Sequence, residues 1–340
     1  MFSYTRDIIL AAEQAVSTGE ADEGLRHLRH LSLDDFGQVL FGLPDDSLPN
    51  LSAVLPRMAS KDVQKSWTGN SGLPLLQRTT SFVRSVAYNC QKLLGLGIDD
   101  RTILDFGCGY GRIIRLMYYY SSPARIWGLD PWEKSIELCR ADGVLGQLAV
   151  SDYLPTALPV GDASFDLIYA FSVFTHLSEH AATLALTTLR RYVAHGGLFV
   201  ITIRPKEYWD LVDPAVAAAS YIDRDELVAR HEKSGFAFVP HARGAIDGEV
   251  IYSDTSLSFE WIEQHAEGWK MVGYDRSLIN PLQLLVYLVP KHHKVWRRLL
   301  RFPCKLSNAP NTRSVFKQKI EESNSRKENE SQARKQCQDG

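Results

Sequence analysis

Hydrophobic positions in the first hundred residues recur at the spacing of amphipathic helices. Between residues 4 and 31, Leu10 and Val16 share one helical face, and glycines mark a break before a second segment. Residues 42–56 carry four prolines or glycines, which predicts a connecting loop. An apolar stripe over residues 81–94 predicts a helix that leads into a sheet.

From residue 102 the pattern changes to short apolar runs that alternate with amphipathic segments. This alternation predicts parallel strands that are joined by helices and covered on both faces. Helices are expected at 132–140 and 178–194, and Gly196 and Gly197 are expected to end the second of them by left-handed capping. The predicted strands are 102–105, 125–130, 144–150, 165–170 and 198–203.

After the fifth strand the regular alternation stops, and residues 205–256 form an insertion. The elements predicted from here on are a helix at 223–234, β-like runs at 236–240 and 249–252, a helix at 258–265, and strands at 269–274 and 282–289. The last two runs flank a turn and can pair as an antiparallel hairpin. The chain is therefore predicted to be an α/β doubly wound sheet, mostly parallel with an antiparallel last strand, preceded by N-terminal helices.

The composition is that of an ordinary globular protein, with 340 residues and a formal net charge of −2. This charge implies no bulk attraction to nucleic acid or to an anionic membrane, so we expect no nucleic-acid partner. The five cysteines are scattered and odd in number, which predicts reduced thiols in a cytoplasmic protein and no zinc site. No apolar run approaches the length of a transmembrane helix.

The motif around which the chain is organised is Asp105 followed by Gly107, Gly109 and Gly111, at the end of the first predicted strand. A dinucleotide fingerprint would need a glycine at the next position, where the chain has Arg112, and the G-K-[ST] of a phosphate loop is missing. The remaining pattern, D-x-G-x-G-x-G, predicts a turn where a ligand approaches the backbone. Another kind of βα turn is the alternative.

Two further acids, Asp130 and Asp152, end the second and third predicted strands. Each acid alone could be a strand-end cap. Three acids that end three successive strands beside a glycine loop indicate a ligand site, because ligands of such sheets bind outside the carboxyl ends of the strands.

The run from Asp105 to Gly111 resembles motif I of class I S-adenosylmethionine-dependent methyltransferases, and the resemblance spans about residues 57–290. It implies a Rossmann-like fold and S-adenosyl-L-methionine as cofactor. Asp105 would receive the methionine ammonium, and Arg112 with the helix N-terminal amides would meet the carboxylate. Asp130 would accept the ribose hydroxyls and Asp152 the adenine amino group. The candidate cofactor-binding residues are Asp105, Gly107, Cys108, Gly109, Gly111, Arg112, Asp130, Pro131, Asp152, Tyr153, Phe171, Ser172, Trp67 and Gly69.

Upstream of this motif, the run from Trp67 to Gly72 reads W-T-G-N-S-G. A similar W-T-G-x-S-G stretch occurs in bacterial methyltransferases associated with polysaccharide and glycosyl-transfer systems. The resemblance implies that Trp67, Gly69 and Gly72 belong to a lid over the cofactor. The alternative from the residues themselves is a helix C-cap with a packing tryptophan.

The segment Phe171–Leu177 follows the fourth predicted strand and resembles the family's loop between cofactor and substrate. It lacks the D/N-P-P-Y signature of amide- and base-methylating relatives. His176 is the candidate catalytic residue, as a general base on a hydroxyl, because imidazole titrates near neutrality. A cofactor contact or a structural histidine at a helix start are the alternatives.

Residues 291–305 are strongly basic with interleaved apolar positions, and residues 306–340 are polar. The basic segment is compatible with weak contact to a membrane surface or with a solvated terminal helix, and the tail is expected to be disordered. The predicted divisions are an N-terminal helical region (1–56), a lid loop and lead-in helix (57–98), a cofactor-binding domain (99–290) and a basic tail (291–340).

These observations together predict a methyltransferase that acts on a small molecule or saccharide, most simply by O-methylation, with a place in polysaccharide biosynthesis. The alternatives are a nicotinamide-nucleotide oxidoreductase, which Arg112 disfavours, and a non-catalytic scaffold of the same fold. The oligomeric state is not specified by any feature of the sequence.

Overall fold

The computed structural model describes residues 2–16, 20–211, 223–239, 246 and 250–291. Within these residues, the helices that precede the first strand are α1 (Ser3–Ala15), α2 (Ala21–Leu28), α3 (Leu33–Gly42), α4 (Pro49–Val54), α5 (Lys61–Thr68) and α6 (Leu73–Leu94). Leu25, Leu28, Phe36 and Leu51 from these helices are fully buried. The amphipathic pattern of the first hundred residues therefore buries its apolar face in a shared core.

The loop predicted for residues 42–56 contains helix α4, so this prediction was wrong. Pro49 occupies the first turn of α4, where its missing N–H costs nothing. The Glu13 carboxylate accepts hydrogen bonds from the backbone N–H groups of Asn50 (2.6 Å) and Leu51 (2.8 Å). The start of α4 is thus capped by a side chain from α1, which a local sequence rule does not detect.

Seven strands form one sheet in the order β3-β2-β1-β4-β5-β9-β8. The first five strands are parallel to one another, and β9 is antiparallel to both β5 and β8. This arrangement confirms the predicted doubly wound, Rossmann-like α/β fold with an antiparallel last strand. The strands are β1 (Ile103–Phe106), β2 (Ile126–Asp130), β3 (Gln147–Val150), β4 (Phe165–Ala170), β5 (Val193–Ile203), β8 (Trp269–Arg276) and β9 (Leu284–Pro290).

Helices cover both faces of the sheet because successive strand residues point to opposite sides. Among the described residues, the α-helices after β1 are α7 (Arg112–Met117), α8 (Glu133–Ala141), α9 (Glu179–Leu189), α10 (Arg224–Ser234) and α11 (Phe259–His265). In β1, Ile103 packs into the core formed with α1–α4 and α6–α8, and Leu104 packs into the core formed with α9 and α11. The carboxyl ends of β1–β5 consequently meet at one uncovered edge of the sheet.

Helix α9 ends at Leu189, five residues before its predicted end, and β5 already begins at Val193. Gly196 and Gly197 therefore lie inside β5 and do not cap a helix, which corrects the prediction. A Cβ atom at Gly197 would come within 2.9 Å of the Phe165 carbonyl oxygen. Glycine at this position allows the start of β5 to lie against β4.

The insertion after β5 contains α10 and a separate two-stranded antiparallel sheet of β6 (Phe236–Val239) and β7 (Asp254–Leu257). Strand β7 follows the predicted run at 249–252, so that prediction was misplaced along the chain. Residue 249 lies outside the described residues, and Tyr252 forms an isolated bridge with Leu177. The insertion thereby contacts the segment that follows β4.

The predictions for the C-terminal basic segment and tail lie outside the described residues from position 292 onward. Within the described part of the chain, no helix combines the length and the apolar character needed to cross a membrane. The candidate site is therefore described from residues before position 292.

Candidate functional site

The glycine loop between β1 and α7 follows the backbone path that its sequence requires. Gly107, Gly109 and Gly111 all have positive φ, at 80°, 55° and 73°, a region that L side chains rarely adopt. The N–H groups of Gly107 and Cys108 both donate to the carbonyl of Leu129, at 2.7 and 3.0 Å. The loop is therefore held against β2.

Space around the loop differs from one glycine to the next. A Cβ atom on Gly107 would lie 2.3 Å from the Val173 side chain, whereas one on Gly109 would meet only the Trp67 ring, at 3.9 Å. The Cys108 side chain is buried, and the Cys139 thiol donates to the Gly109 carbonyl at 3.2 Å. Gly109 is thus the point where a ligand can approach the loop backbone most closely.

Asp105 is 1 % exposed, and neither of its carboxylate oxygens has a hydrogen-bond partner among the described residues. The Tyr169 hydroxyl, on the neighbouring strand β4, is likewise buried and makes no hydrogen bond of normal geometry with any described residue. Burial raises the pKa of Asp105 to about 8, against the opposing influence of Tyr169 and Arg112. A buried carboxyl with open acceptor positions is suited to receive a cationic donor from a ligand.

Asp130 ends β2, and both of its carboxylate oxygens touch backbone N–H groups. One oxygen accepts from Gly109 and the other from Trp132, each at 2.9 Å. Burial raises the pKa of Asp130, although these two hydrogen bonds oppose the shift. A carboxylate has about four lone-pair positions, so Asp130 can shape the loop and still accept from ligand hydroxyls. Pro131 follows Asp130 in the sequence and is half-buried.

Asp152 follows β3, and its side chain is exposed, as is that of Tyr153. The preceding residue, Ser151, is buried, and its N–H donates to the Asp130 carbonyl at 3.2 Å. The Ser151 hydroxyl has no partner within the described residues. The backbone bond places the end of β3 beside the end of β2, so the predicted acids lie along one edge of the sheet.

Arg112 points into the protein and is only 7 % exposed. Its guanidinium donates to Thr79 on α6 at 2.7 Å and lies 5.0 Å from the centre of the Phe171 ring. Burial lowers the pKa of Arg112, partly against the charge of Asp105. Helix α7 begins here and has only six residues. The carboxylate-binding role of Arg112 stays a prediction.

Trp67 lies on α5 and covers the glycine loop. Its ring stacks on Trp132 at a centroid distance of 4.8 Å and meets Tyr110 edge-on at 5.7 Å. Gly69 has φ 76° and caps the C-terminus of α5, and Gly72 precedes α6. The geometry therefore favours the lid interpretation for Trp67 and the capping interpretation for Gly69.

The segment after β4 brings Phe171 and Ser172 to the same edge. Ser172 has φ 60°, an uncommon value for a residue with a side chain. Its N–H donates to Thr202 at 2.6 Å, and its hydroxyl accepts from the Gln283 amide at 3.1 Å. Because Thr202 in β5 and Gln283 just before β9 both form hydrogen bonds with Ser172, the surrounding fold fixes the unusual backbone conformation of Ser172.

Both ring nitrogens of His176 contact protein partners. Nδ1 is 2.7 Å from the Ser253 carbonyl, and Nε2 is 3.2 Å from Arg204. Since guanidinium only donates, Nε2 is the acceptor and Nδ1 carries the proton. The ring also stacks on Tyr252 at 5.0 Å. These contacts join the insertion to the β4 segment and favour the structural alternative for His176.

A cavity of about 280 Å³ opens beside this segment, between α6 and the β8–β9 hairpin. Phe171 forms part of the cavity wall, and the Arg112 guanidinium packs over the same aromatic ring. The sequence analysis did not identify its polar lining, because these residues form no short motif. The polar and charged lining residues are Arg78, Ser81, Arg84, Ser85, Tyr88, Asp275, Arg276, Ser277, Asn280 and Gln283.

A comparison with protein families matches residues 104–201 to the methyltransferase domain. The match begins at β1 and ends in β5, so it includes the glycine loop, Asp130, Asp152 and the Phe171 segment. It confirms the prediction of a methyltransferase domain in this part of the chain.

Solved structures similar to this chain include a protein from Pyrococcus horikoshii OT3, with 14 % identity, coverage of 63 % of this chain and 92 % of the other, and a TM-score of 0.43. The magnesium protoporphyrin IX methyltransferase of Synechocystis PCC 6803 has 14 % identity, coverage of 67 % and 93 %, and a TM-score of 0.45. An S-adenosylmethionine-dependent methyltransferase of Mesorhizobium loti has 19 % identity, coverage of 59 % and 95 %, and a TM-score of 0.42. The fold assignment here rests on the strand order of this chain and not on these similarities.

Proposed function

We propose that this enzyme transfers a methyl group to a hydroxyl oxygen of a small molecule or saccharide, with the cofactor lying along the glycine loop. The observation that carries the proposal is the buried Asp105 carboxyl, whose two oxygens have no partner in the described chain. Such an arrangement in an otherwise well-packed strand end calls for a ligand group that donates hydrogen bonds.

The residues along this edge fit the parts of S-adenosylmethionine. Asp105 would hold the ammonium of the methionine portion, and Gly109 would let the ligand approach the loop backbone. Asp130, with acceptor positions beyond its two backbone bonds, would take the ribose hydroxyls. Asp152 and Tyr153, exposed at the end of β3, would contact the adenine.

The cofactor supplies a methyl group that is already activated by its bond to a sulfonium. The task of the protein is therefore alignment, which is worth about 7–11 kcal/mol in favourable cases. Phe171 and Ser172, fixed by neighbouring strands, would form the boundary between cofactor and acceptor. A general base would add roughly 10²–10⁴-fold for an alcohol acceptor, and His176 remains the sequence-based candidate although both its nitrogens are engaged.

The choice of acceptor rests on two sequence features. The missing D/N-P-P-Y signature speaks against amide and base targets, and the W-T-G-N-S-G run supports a saccharide and a role in polysaccharide biosynthesis. Cys90, Cys108 and Cys139 are free thiols, which is compatible with the predicted cytoplasmic location. The absence of a nucleic-acid partner likewise stays a prediction.

Calorimetry with S-adenosylhomocysteine tests the cofactor site. We expect binding to the wild-type protein, loss of measurable binding in Asp130→Ala, and no change in Asp162→Ala, a control in an exposed turn. Binding of NADH with no response to S-adenosylhomocysteine would overturn the proposal.

Transfer of a labelled methyl group to a panel of sugars, small phenols and lipids tests the acceptor. Label in an alkali-stable methyl ether is the expected product. Cofactor binding without transfer to any member of the panel would favour a scaffold role.

A further inference from the structure

The cavity between α6 and the β8–β9 hairpin carries an excess of positive charge. Arg78, Arg84 and Arg276 line it, against one carboxylate, Asp275. Arg84 forms an ion pair with Asp34 at 2.5 Å. Arg78 and Arg276 form no ion pair within the described residues, so two guanidinium groups at this cavity lack a counter-ion from the protein.

Unpartnered polar atoms also concentrate here. Among the described residues, ten buried side-chain nitrogen or oxygen atoms have no hydrogen-bond partner. Three of the ten belong to residues that line this cavity: Arg78 Nε, Asn280 Nδ2 and Gln283 Oε1. Native proteins leave few such atoms, and a cluster of them beside a cavity indicates a polar ligand.

Gln283 is the most deeply buried of the three residues with an unpartnered atom at this cavity, since it is only 8 % exposed. Its amide nitrogen donates to the Ser172 hydroxyl at 3.1 Å, and its oxygen is buried beside the cavity with no partner among the described residues. Arg78 is anchored through Nη1, which donates to the Thr68 carbonyl at 2.9 Å. Burial lowers the pKa of Arg78, as expected for a cation that is partly removed from water without an opposing charge.

The cavity shares the Phe171–Ser172 segment with the proposed cofactor site. Phe171 lines the cavity and also packs under the Arg112 guanidinium. The charge of Asp105 in turn acts to raise the pKa of Arg112. Ser172, the next residue, bonds to Gln283 in the cavity wall. One short segment therefore contributes to both sites.

We propose that this cavity is the methyl-acceptor site and that it selects a small polyhydroxy compound carrying an anionic carboxylate or phosphate group. This inference rests on the proposed function for the kind of reaction. The predicted preference for an anionic ligand can nevertheless be measured by binding alone, without methyl transfer. Arg276 and Arg78 pair with the anionic group, and Gln283 accepts from a hydroxyl.

The remaining lining residues agree with a sugar-like acceptor. The Ser81 and Ser277 hydroxyls bond to each other at 2.7 Å and keep further hydrogen-bonding capacity, while Tyr88 adds an aromatic ring. A volume of about 280 Å³ lies near the lower end of the roughly 300–1,000 Å³ of ligand pockets. This size fits a compound of one sugar ring.

Titration calorimetry with three probes tests the inference: D-glucuronate, D-glucose 6-phosphate and D-glucose, each with the protein saturated with S-adenosylhomocysteine. At least one charged probe should bind about tenfold tighter than glucose, and added salt should weaken only the charged probe. A preference for glucuronate or for glucose 6-phosphate distinguishes the carboxylate from the phosphate. Equal affinities, or no binding of either charged probe, would overturn the inference.

The variant Arg276→Gln should weaken the preferred charged probe about fivefold to tenfold and leave glucose and S-adenosylhomocysteine unchanged. Arg276 is exposed, so the fold should tolerate this change, and Arg78→Lys provides a second, charge-conserving variant that should lose less affinity. The matched control is Arg125→Gln, which removes an arginine from the opposite, amino-terminal edge of the sheet. An unchanged probe affinity in Arg276→Gln would exclude the anionic site, whereas absent S-adenosylhomocysteine binding in the wild type would count against the proposed function instead.

Discussion

Cofactor binding beside Asp105 should release a proton. Burial raises the pKa of this carboxyl to about 8 in the free protein, so about nine-tenths of the molecules carry the proton at pH 7. An ammonium group held against Asp105 favours the ionised form and lowers this pKa. Affinity should therefore rise as the pH increases toward 8 and level off above that value, because the carboxyl is then already ionised.

The magnitude follows from the same pKa. At pH 7, binding of S-adenosylhomocysteine should release about 0.9 proton, and between pH 6 and 7 its Kd should fall by up to about tenfold. The assay is calorimetry in buffers of different ionisation enthalpy, which converts released protons into a measurable heat difference. Asp105→Asn keeps the shape of the side chain and should bind more weakly, with little pH dependence over this range.

The second buried carboxyl, Asp130, needs its own control, because burial raises its pKa too. Its two backbone hydrogen bonds already stabilise the ionised form in the free protein. The variant Asp130→Asn should therefore bind weakly but keep a rise in affinity with pH. A wild-type Kd that stays constant between pH 6 and 8, with no buffer-dependent heat, would refute the assignment of the ammonium to Asp105.

Three further changes test other parts of the structure by urea denaturation. Gly107→Ala forces a Cβ at φ 80° to within 2.3 Å of Val173 and should cost about 2–4 kcal/mol, whereas the control Gly161→Ala, with open space at φ 58°, should cost about 1 kcal/mol. Ser85→Ala removes the hydroxyl that contacts Asp275 and Tyr287 and should cost about 1–3 kcal/mol; a loss below that range would mean that water replaces it. His176→Gln should lower stability by about 1–2 kcal/mol while labelled methyl transfer falls less than about tenfold, and a fall of about 10²–10⁴-fold would instead assign the general-base role.

The positions of the candidate cofactor residues along one edge of the sheet were predictable because their determinants are local. The three glycines must adopt positive φ within seven residues of Asp105, Asp130 ends β2, and Asp152 lies two residues after β3. Strand β4 was predicted with its observed limits, since a central parallel strand is apolar along its whole length. Local chemistry and local geometry agree in these segments.

Features that depend on distant contacts were missed or misplaced. Helix α4 begins where the Glu13 carboxylate caps it, and the sequence of residues 42–56 alone does not predict a capping residue from α1. Helix α9 ends early because β5 already pairs with β4 at Val193. His176 was chosen for its chemistry, but its environment is set by Ser253 and Arg204, which are contributed by the insertion and by the end of β5.

The proposed acceptor cavity depends even more on contacts between residues that are distant in sequence. The cavity joins residues 78–88 of α6 to residues 275–285 of the β8–β9 hairpin, with Phe171 between them, and only the folded sheet brings these segments together. The polarity of the lining is nevertheless informative, since Gln283 and Arg78 each keep a buried polar atom with no partner among the described residues. The candidate cofactor residues gather around one glycine motif and neighbouring strand ends, whereas the proposed acceptor site joins side chains nearly two hundred residues apart. An exchange at Arg276 should therefore alter which acceptor binds without altering the affinity for the cofactor.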